Sequence, residues 1–466
     1  MYEEWVELRN ELIFDAAPGN FQRRCEAARA RYSGLFAKAD DVRKEEIAQL
    51  MADIAVDLVS YLPRWRAYED ESQALPDQEL IKESEAFLSL VKKLGYNDKA
   101  ISAVNETGAL KESKLIKLTE LAAQQKINNY WGNDNGIGIM EAMRRGAALV
   151  TTNPPIVNMA REARPDVFDR VRDNINAHHK DEPVERRVTR LTFDVVRNNA
   201  RALRPIYLIT KGKLGYVNFQ VSPLNSKDSD AMVEEAEFAY GLLAESLGGK
   251  PNVVFKVPGT YASLEAVRRL TAEGIGINIT VNFSVPQCIA FSEAIESGKA
   301  DLSYMTVMAG RLDGPVCDDL KAKNIDDAEK LSKNASRLVT QRAYNDVIVK
   351  NGLKHVELLI ASLRGSWNFD ASITSNRASK IVISSFPDKA AEYDADKGEI
   401  VPLTDVTVPQ ETIERLKNSD VFRKAYEPDA MKPEEFDDYL PVQKTLGQFI
   451  GVYEGLKEYM RLSDEK

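Results

Sequence analysis

A lysine stands inside an apolar run in "NVVFKVPGTY", residues 252–261. Lys256 follows Val253, Val254 and Phe255 and precedes Val257 and Pro258. Taking an ammonium out of water is costly, and lysine is almost never fully buried without a partner. Two readings are open. Lys256 reaches solvent from a strand end, its stem laid along apolar surface. Alternatively, apolar surroundings lower its pKa and free the amine as a nucleophile toward ketones or aldehydes.

Polar residues recur at a spacing of two in nearby stretches. In "GYVNFQVSP", Asn218, Gln220 and Ser222 alternate with Val217, Phe219 and Val221. In "INITVNFS", Asn278, Thr280, Asn282 and Ser284 alternate with Ile277, Ile279, Val281 and Phe283. In "VTTNPP", Thr151 and Asn153 share a parity just before two prolines. Successive strand residues point to opposite faces, so each stretch has one polar and one apolar face. If the apolar faces pack on helices, the polar ones converge on an interior site for a polar ligand. An antiparallel sheet with one face in water is the alternative.

Other chemistry-bearing residues are few. Asp134 in "WGNDNG" sits where a strand turns, a place an aspartate also fills for purely local reasons. Arg311 and Arg364 each follow an apolar run, and a guanidinium fork suits phosphate oxygens, although a surface ion pair is the common fate of one arginine. The chain has three histidines: His178 and His179, adjacent on a charged helical stretch, and His355, before a strand. They do not make a converging zinc set, and adjacent positions face different sides of a helix. GxSxG, HExxH and GxxxxGK[ST] are absent from the sequence.

The elements that must position these residues form an alternating series. From about residue 126, β-like runs alternate with helical ones: "INNYWGND", "AALVTTNPP", "GYVNFQVSP", "NVVFKVPGT", "INITVNFS", "LSYMTVMAGR", "HVELLIASLR" and "KIVISSFP". Such alternation implies parallel strands with helical crossovers. Eight strands fit an α/β (β/α)8 barrel over 126–466, with an all-helical extension over 1–125. A doubly wound open sheet is the competing fold, but its GxGxxG loop is missing. Residues 161–205 are charged and helical, and extend the crossover after the second strand. In the extension, Val42, Ile47, Leu50, Met51, Ile54, Leu58 and Leu62 fall near helical spacing, and Gly95 is placed to stop a later helix. No chemical motif appears there, so these helices are expected to pack on the main domain or on another subunit, and a homo-oligomer stays open.

Composition excludes several classes. The 466 residues are 44% hydrophobic and 29% charged, with a net charge of −10. No long basic run marks a nucleic-acid face, and no apolar run approaches a membrane span. The acidic N-terminal stretch lacks the basic start and apolar core of a signal peptide. Cys25, Cys288 and Cys317 are scattered and odd in number. A soluble cytoplasmic protein with reduced thiols is expected, without nucleic-acid or membrane partners.

The block "VVFKVPGTYASLEAVRRLTAEGIGINITVNFS" resembles the transaldolase family, Schiff-base enzymes on a (β/α)8 barrel. It matches that family's lysine strand, the next helix and the Asn-x-Thr strand. "TTNPP", "AGRLD" and "ASLRG" resemble further family segments in the same order, so the match runs from about Asp134 to Phe386. The resemblance implies transfer of a dihydroxyacetone unit between sugar phosphates, as in the pentose phosphate pathway, with Lys256 as the Schiff-base amine. It implies Asp134 as acid/base, Asn153 and Asn278 as holders of donor hydroxyls, and Thr280 as a partner of the catalytic water. Thr306 stands where a serine is more usual, and Arg311 and Arg364 are the implied phosphate ligands. No metal or organic cofactor is implied, because a protonated imine is itself the electron sink.

The sequence departs from the family twice. Gln220 stands where transaldolases carry a glutamate, as in fructose-6-phosphate aldolases of the same superfamily. Met308 matches neither the phenylalanine of the first group nor the tyrosine of the second, although Tyr304 lies four residues earlier. An aldolase that releases free dihydroxyacetone is therefore the alternative enzyme, and a non-catalytic sugar-phosphate binder the alternative of another class.

Overall fold

The computed structural model describes residues 1–462. Eight strands close into a parallel barrel in sequence order: β1 Asn129–Asn133, β2 Leu149–Val150, β3 Tyr216–Gln220, β4 Val253–Pro258, β5 Ile277–Thr280, β6 Ser303–Met308, β7 Val356–Ala361 and β8 Ile381–Ser385. All eight fall within the runs expected from the sequence. Between β2 and β3 the crossover lengthens into helices Pro154–Ala163, Pro165–His179 and Val184–Ile209, as the charged stretch suggested.

Register decides which residues meet inside. Paired positions on neighbouring strands share a face. Gln220 lies opposite Lys256, Lys256 opposite Asn278, and Asn278 opposite Tyr304. One inward ring therefore collects an amide, an amine, an amide and a phenol. Toward the N-terminal ends of the strands the interior is filled by Leu149, Tyr216, Val254, Leu302, Tyr304, Leu359 and Val382. The alternate residues, among them Val217, Phe219, Phe255, Val257, Ile277 and Ile279, join the core under the helices. The open-sheet and half-solvated alternatives give way to this closed barrel with a polar upper interior.

The polar alternation stops earlier than the sequence suggests. Val281 has φ +52°, so β5 ends at Thr280, and Asn282 and Ser284 do not extend its face. Asn282 Nδ2 donates to the Thr306 carbonyl (2.9 Å), and Ser284 caps helix Val285–Glu296. Likewise Ser222 caps the short turn Pro223–Asn225 instead of prolonging β3.

The segment before β1 is helical and shares the barrel's hydrophobic core. Its main polar tie is Arg144, 2% exposed, at the end of helix Ile139–Arg144. The guanidinium donates to Asp57 (2.7 Å), to Glu106 (2.9 Å) and to the Asp53 carbonyl (3.0 Å). Trp5 Nε1 donates to the second oxygen of Asp57 (2.6 Å). Stripping one partner from a buried ion pair typically costs ~3–5 kcal/mol, so this cluster fixes the N-terminal helices against the helix that follows the Asp134 turn. Val42 departs from expectation: it lies in the first turn of helix Asp41–Leu58 and is 74% exposed. No helix among the described residues is long and apolar enough to cross a membrane.

Candidate active site

Lys256 does not reach solvent. It is 4% exposed, and its Nζ donates to the Thr152 carbonyl at 3.0 Å. That acceptor is neutral, so it satisfies the amine without demanding a charge. Burial brings the Lys256 pKa down to about 8; Asp134 opposes the fall and Arg311 assists it. Of the two sequence readings of this lysine, the one that takes it out to solvent gives way to burial.

Asp134 follows β1 and is 3% exposed. Its backbone N–H donates to the Ser385 carbonyl (2.8 Å), which fixes the turn to β8. Thr151 Oγ1 donates to the carboxylate and sits 2.8 Å from Ser384 Oγ. Burial raises the Asp134 pKa; Lys256, Thr151, Arg311 and the Ser362 amide work against that rise. Both shifts move the Asp134–Lys256 pair toward its uncharged forms. A buried acid beside a buried amine is poised to pass a proton between bound groups.

The surrounding amides are held in different ways. Asn278 Nδ2 donates to Asn218 Oδ1, and Asn278 Oδ1 accepts from Thr306 Oγ1 at 2.6 Å. Gln220 is buried on the same ring, and its Oε1 has no hydrogen-bond partner among the described residues. An orphaned carbonyl oxygen costs free energy unless a ligand or water satisfies it. Thr280 Oγ1 lies 3.8 Å from Met308 Sδ, a weak acceptor. Asn153 spends its Oδ1 capping helix Pro154–Ala163, accepting from Ile156 N–H at 2.9 Å, which leaves its amide hydrogens for other partners.

Arg311 and Arg364 come together at the C-terminal end of the barrel. Arg311 is the third residue of helix Ala309–Ala322, and Arg364 lies in the loop after β7. The positive charge of Arg364 lowers the Arg311 pKa, after burial the largest cause. Arg311 Nε is buried without a hydrogen-bond partner among the described residues. Two cations held this close suit an anion, with Asp134 as the carboxylate that also acts on Arg311. Gly310 is required for that approach: a Cβ there would stand 2.2 Å from Arg364 Cγ and 2.7 Å from the Ser362 carbonyl. The glycine of "AGR" thus lets the Arg364 stem lie across the start of the Arg311 helix.

Backbone strain gathers at the same end. Val281 (φ +52°) and Ser362 (φ +58°) directly follow β5 and β7. A β-branched residue rarely adopts positive φ, and such outliers persist only where their surroundings fix them. Gln287 fixes Val281. Its Nε2 donates to the carbonyls of Gly259 (2.7 Å) and Val281 (3.3 Å), and its Oε1 accepts from Phe283 N–H (3.0 Å) and Ser284 Oγ (2.9 Å). One buried amide therefore ties the turn after Lys256 to the turn after Thr280. Gln287→Ala is expected to lower stability by about 2–4 kcal/mol, from stranded buried polar groups. Urea unfolding checks this, and a loss under about 0.5 kcal/mol, the scale of an ordinary surface change, would mean that Gln287 braces nothing.

Of the candidate site residues, Gln220, Lys256, Asn278, Thr280 and Thr306 lie on barrel strands, Asp134, Asn153 and Arg364 in the segments that follow strands, and Arg311 in the first turn of the helix after β6. Thr151, Thr152, Asn218, Ser362, Ser384 and Gln287 were not singled out as site residues and now hold them. Thr151 and Asn218 had a signal in their parity. Thr152 and Ser362 act through backbone atoms, which leave none.

The family described as Transaldolase/Fructose-6-phosphate aldolase matches residues 138–438. The chain is 26% identical over 289 residues to "Transaldolase" of Thiobacillus denitrificans, covering 57% of this chain and 78% of that protein. It is 27% identical over 299 residues to "Transaldolase" of Mycolicibacterium smegmatis, covering 58% and 78%. Against "Transaldolase 2" of Nostoc sp. it is 32% identical over 162 residues, covering 32% of this chain and 41% of that protein. The family match leaves out β1 with Asp134 and the last helix, Leu440–Arg461.

Proposed function

The chain belongs to the transaldolase/fructose-6-phosphate aldolase family, and from that premise we propose that it transfers a dihydroxyacetone unit between sugar phosphates through a Schiff base on Lys256. The observation that carries this reading is the buried amine, its pKa brought down to about 8, beside the buried Asp134. The uncharged amine adds to the ketone of the donor. The resulting carbinolamine loses water as Asp134 supplies a proton, leaving an iminium. Asp134, now a carboxylate, takes the proton from the hydroxyl on the far carbon of the bond to be cleaved. That bond breaks, the shortened aldose phosphate departs, and its electron pair settles on the iminium as an enamine. The enamine attacks the aldehyde of an acceptor, and water releases the new ketose.

The remaining residues have consistent places in this scheme. Gln220 lies beside Lys256 in register and Thr280 beside Pro258, two residues further along the same face, and both are suited to holding the water that enters and leaves. Asn153, Asn278 and Thr306 offer amides and a hydroxyl to the donor hydroxyls, Asn278 by exchanging its present protein partners. Arg311 and Arg364 take the phosphate. The same reading makes sugar phosphates the partners, residues 1–125 a helical extension of a 126–466 barrel, and the cytoplasm the compartment.

Gln220 favours one second reading, an aldolase that releases the three-carbon unit free. An amide can orient a water but cannot accept its proton as a carboxylate does. Acceptor dependence separates the two. With fructose 6-phosphate alone, a transferase is expected to release at most one glyceraldehyde 3-phosphate per Lys256 and then stall as the enamine. Adding an aldose phosphate acceptor restores turnover. Sustained release without acceptor would replace transfer by cleavage.

A further inference from the structure

The one side-chain hydrogen bond that Arg311 makes among the described residues goes to a residue outside the barrel. Its Nη1 donates to Gln448 Oε1 at 2.6 Å, and its guanidinium carbon lies 5.4 Å from the centre of the Phe449 ring. Both residues belong to the last helix, Leu440–Arg461, beyond the span that matches the family. This helix packs on helices Ala309–Ala322, Pro154–Ala163 and Val184–Ile209 and on the turn Pro223–Asn225, just past Gln220. It therefore reaches from the anion end of the site to the Gln220 end. Phe449 is fully buried and anchors it, while Gln448 is exposed.

Three details bear on what Gln448 does. It is an amide and not a carboxylate, so it holds Arg311 without cancelling its charge. Its NH2 group has no protein partner among the described residues. The glycines on either side, Gly447 and Gly451, leave room: a Cβ at either would meet nothing within 4 Å. A carboxamide carries an acceptor and two donors, so it can keep its oxygen on Arg311 and still offer N–H to an anion.

We propose that the last helix completes the phosphate site, with Gln448 orienting the Arg311 guanidinium through Oε1 and donating from Nε2 to a phosphate oxygen of the substrate. This rests on the sugar-phosphate reading above and extends it to a segment that the family match does not include. Gln448→Ala removes one neutral hydrogen-bonding group at the site, and such a loss typically weakens binding about threefold to tenfold. Gln448→Glu places a carboxylate on Arg311 and against the incoming anion, and is expected to weaken binding by roughly thirtyfold or more.

The test uses the full chain and two readouts. Isothermal titration with inorganic phosphate measures the anion site without catalysis. Steady-state kinetics with fructose 6-phosphate measures KM and kcat. The proposal expects the phosphate Kd and KM to rise together, alanine less than glutamate, with kcat falling under about threefold, because binding common to ground and transition states is lost. Either variant binding phosphate within twofold of the unaltered protein, or more tightly, overturns the proposal, as does an unaltered protein that does not bind phosphate at all. If phosphate binding responds as expected while fructose 6-phosphate never labels Lys256, the proposed reaction fails and the phosphate site stands.

Discussion

Lys256→Ala is expected to abolish covalent capture of the donor and to lower turnover on the order of 10⁴-fold or more, the scale seen when a covalent nucleophile is lost. Borohydride added with fructose 6-phosphate should leave a stable mass on Lys256 of the unaltered protein and none on the variant. The physical reason lies in one number. With a pKa of about 8, roughly one-tenth of the amine is uncharged at pH 7. For an ordinary lysine near 10.4 the uncharged share is about four in ten thousand, so burial supplies roughly 200-fold more nucleophile. The sign of the pH dependence follows. Adduct formation should rise about tenfold per pH unit below 7 and level off above about 8. A rate still climbing between pH 9 and 10 would mean that the lysine titrates normally. Adduct formation on any other lysine, with Lys256 unlabelled, would remove it from the chemistry.

Much of the site was legible because alternation is local. The parity of Asn218 and Gln220, and of Asn278 and Thr280, sufficed to place them inside, since parallel register then brings Gln220, Lys256 and Asn278 side by side. The barrel itself was legible from eight runs separated by helical ones. What was lost has physical causes. Positive φ at Val281 leaves no compositional mark on a valine, so β5 read as continuing through Ser284. Hydrogen bonds through the backbone, such as the one Lys256 gives to Thr152, do not depend on residue type. Long-range pairs are the hardest: nothing in periodicity joins Arg311 to Gln448, or Arg144 to Asp57. Val42 shows the opposite error, an apolar residue at helical spacing whose turn of helix projects past the core.

The strongest separation of binding from bond cleavage lies in Asp134→Asn. The substitution keeps the shape of the side chain and an oxygen for the Thr151 hydroxyl, but it removes the proton carrier. Removing a general acid or base of this kind typically costs ~10²–10⁴-fold in turnover. Schiff-base formation should slow, because dehydration of the carbinolamine must then draw its proton from water, but it should survive, and its pH dependence should shift for an electrostatic reason. The charge of Asp134 holds the Lys256 pKa up against burial. Without it the amine is less readily protonated, so the pH midpoint of adduct formation should move below about 8. The trapped species should change as well. In the unaltered protein, cleavage proceeds and borohydride captures a three-carbon unit alongside intact donor. In the variant the hydroxyl keeps its proton, the carbon–carbon bond holds, and the mass on Lys256 should be that of the whole hexose phosphate. Turnover within a few-fold of normal, or a three-carbon adduct as the main product, would assign the proton transfer to another group and leave Asp134 as a residue of the turn.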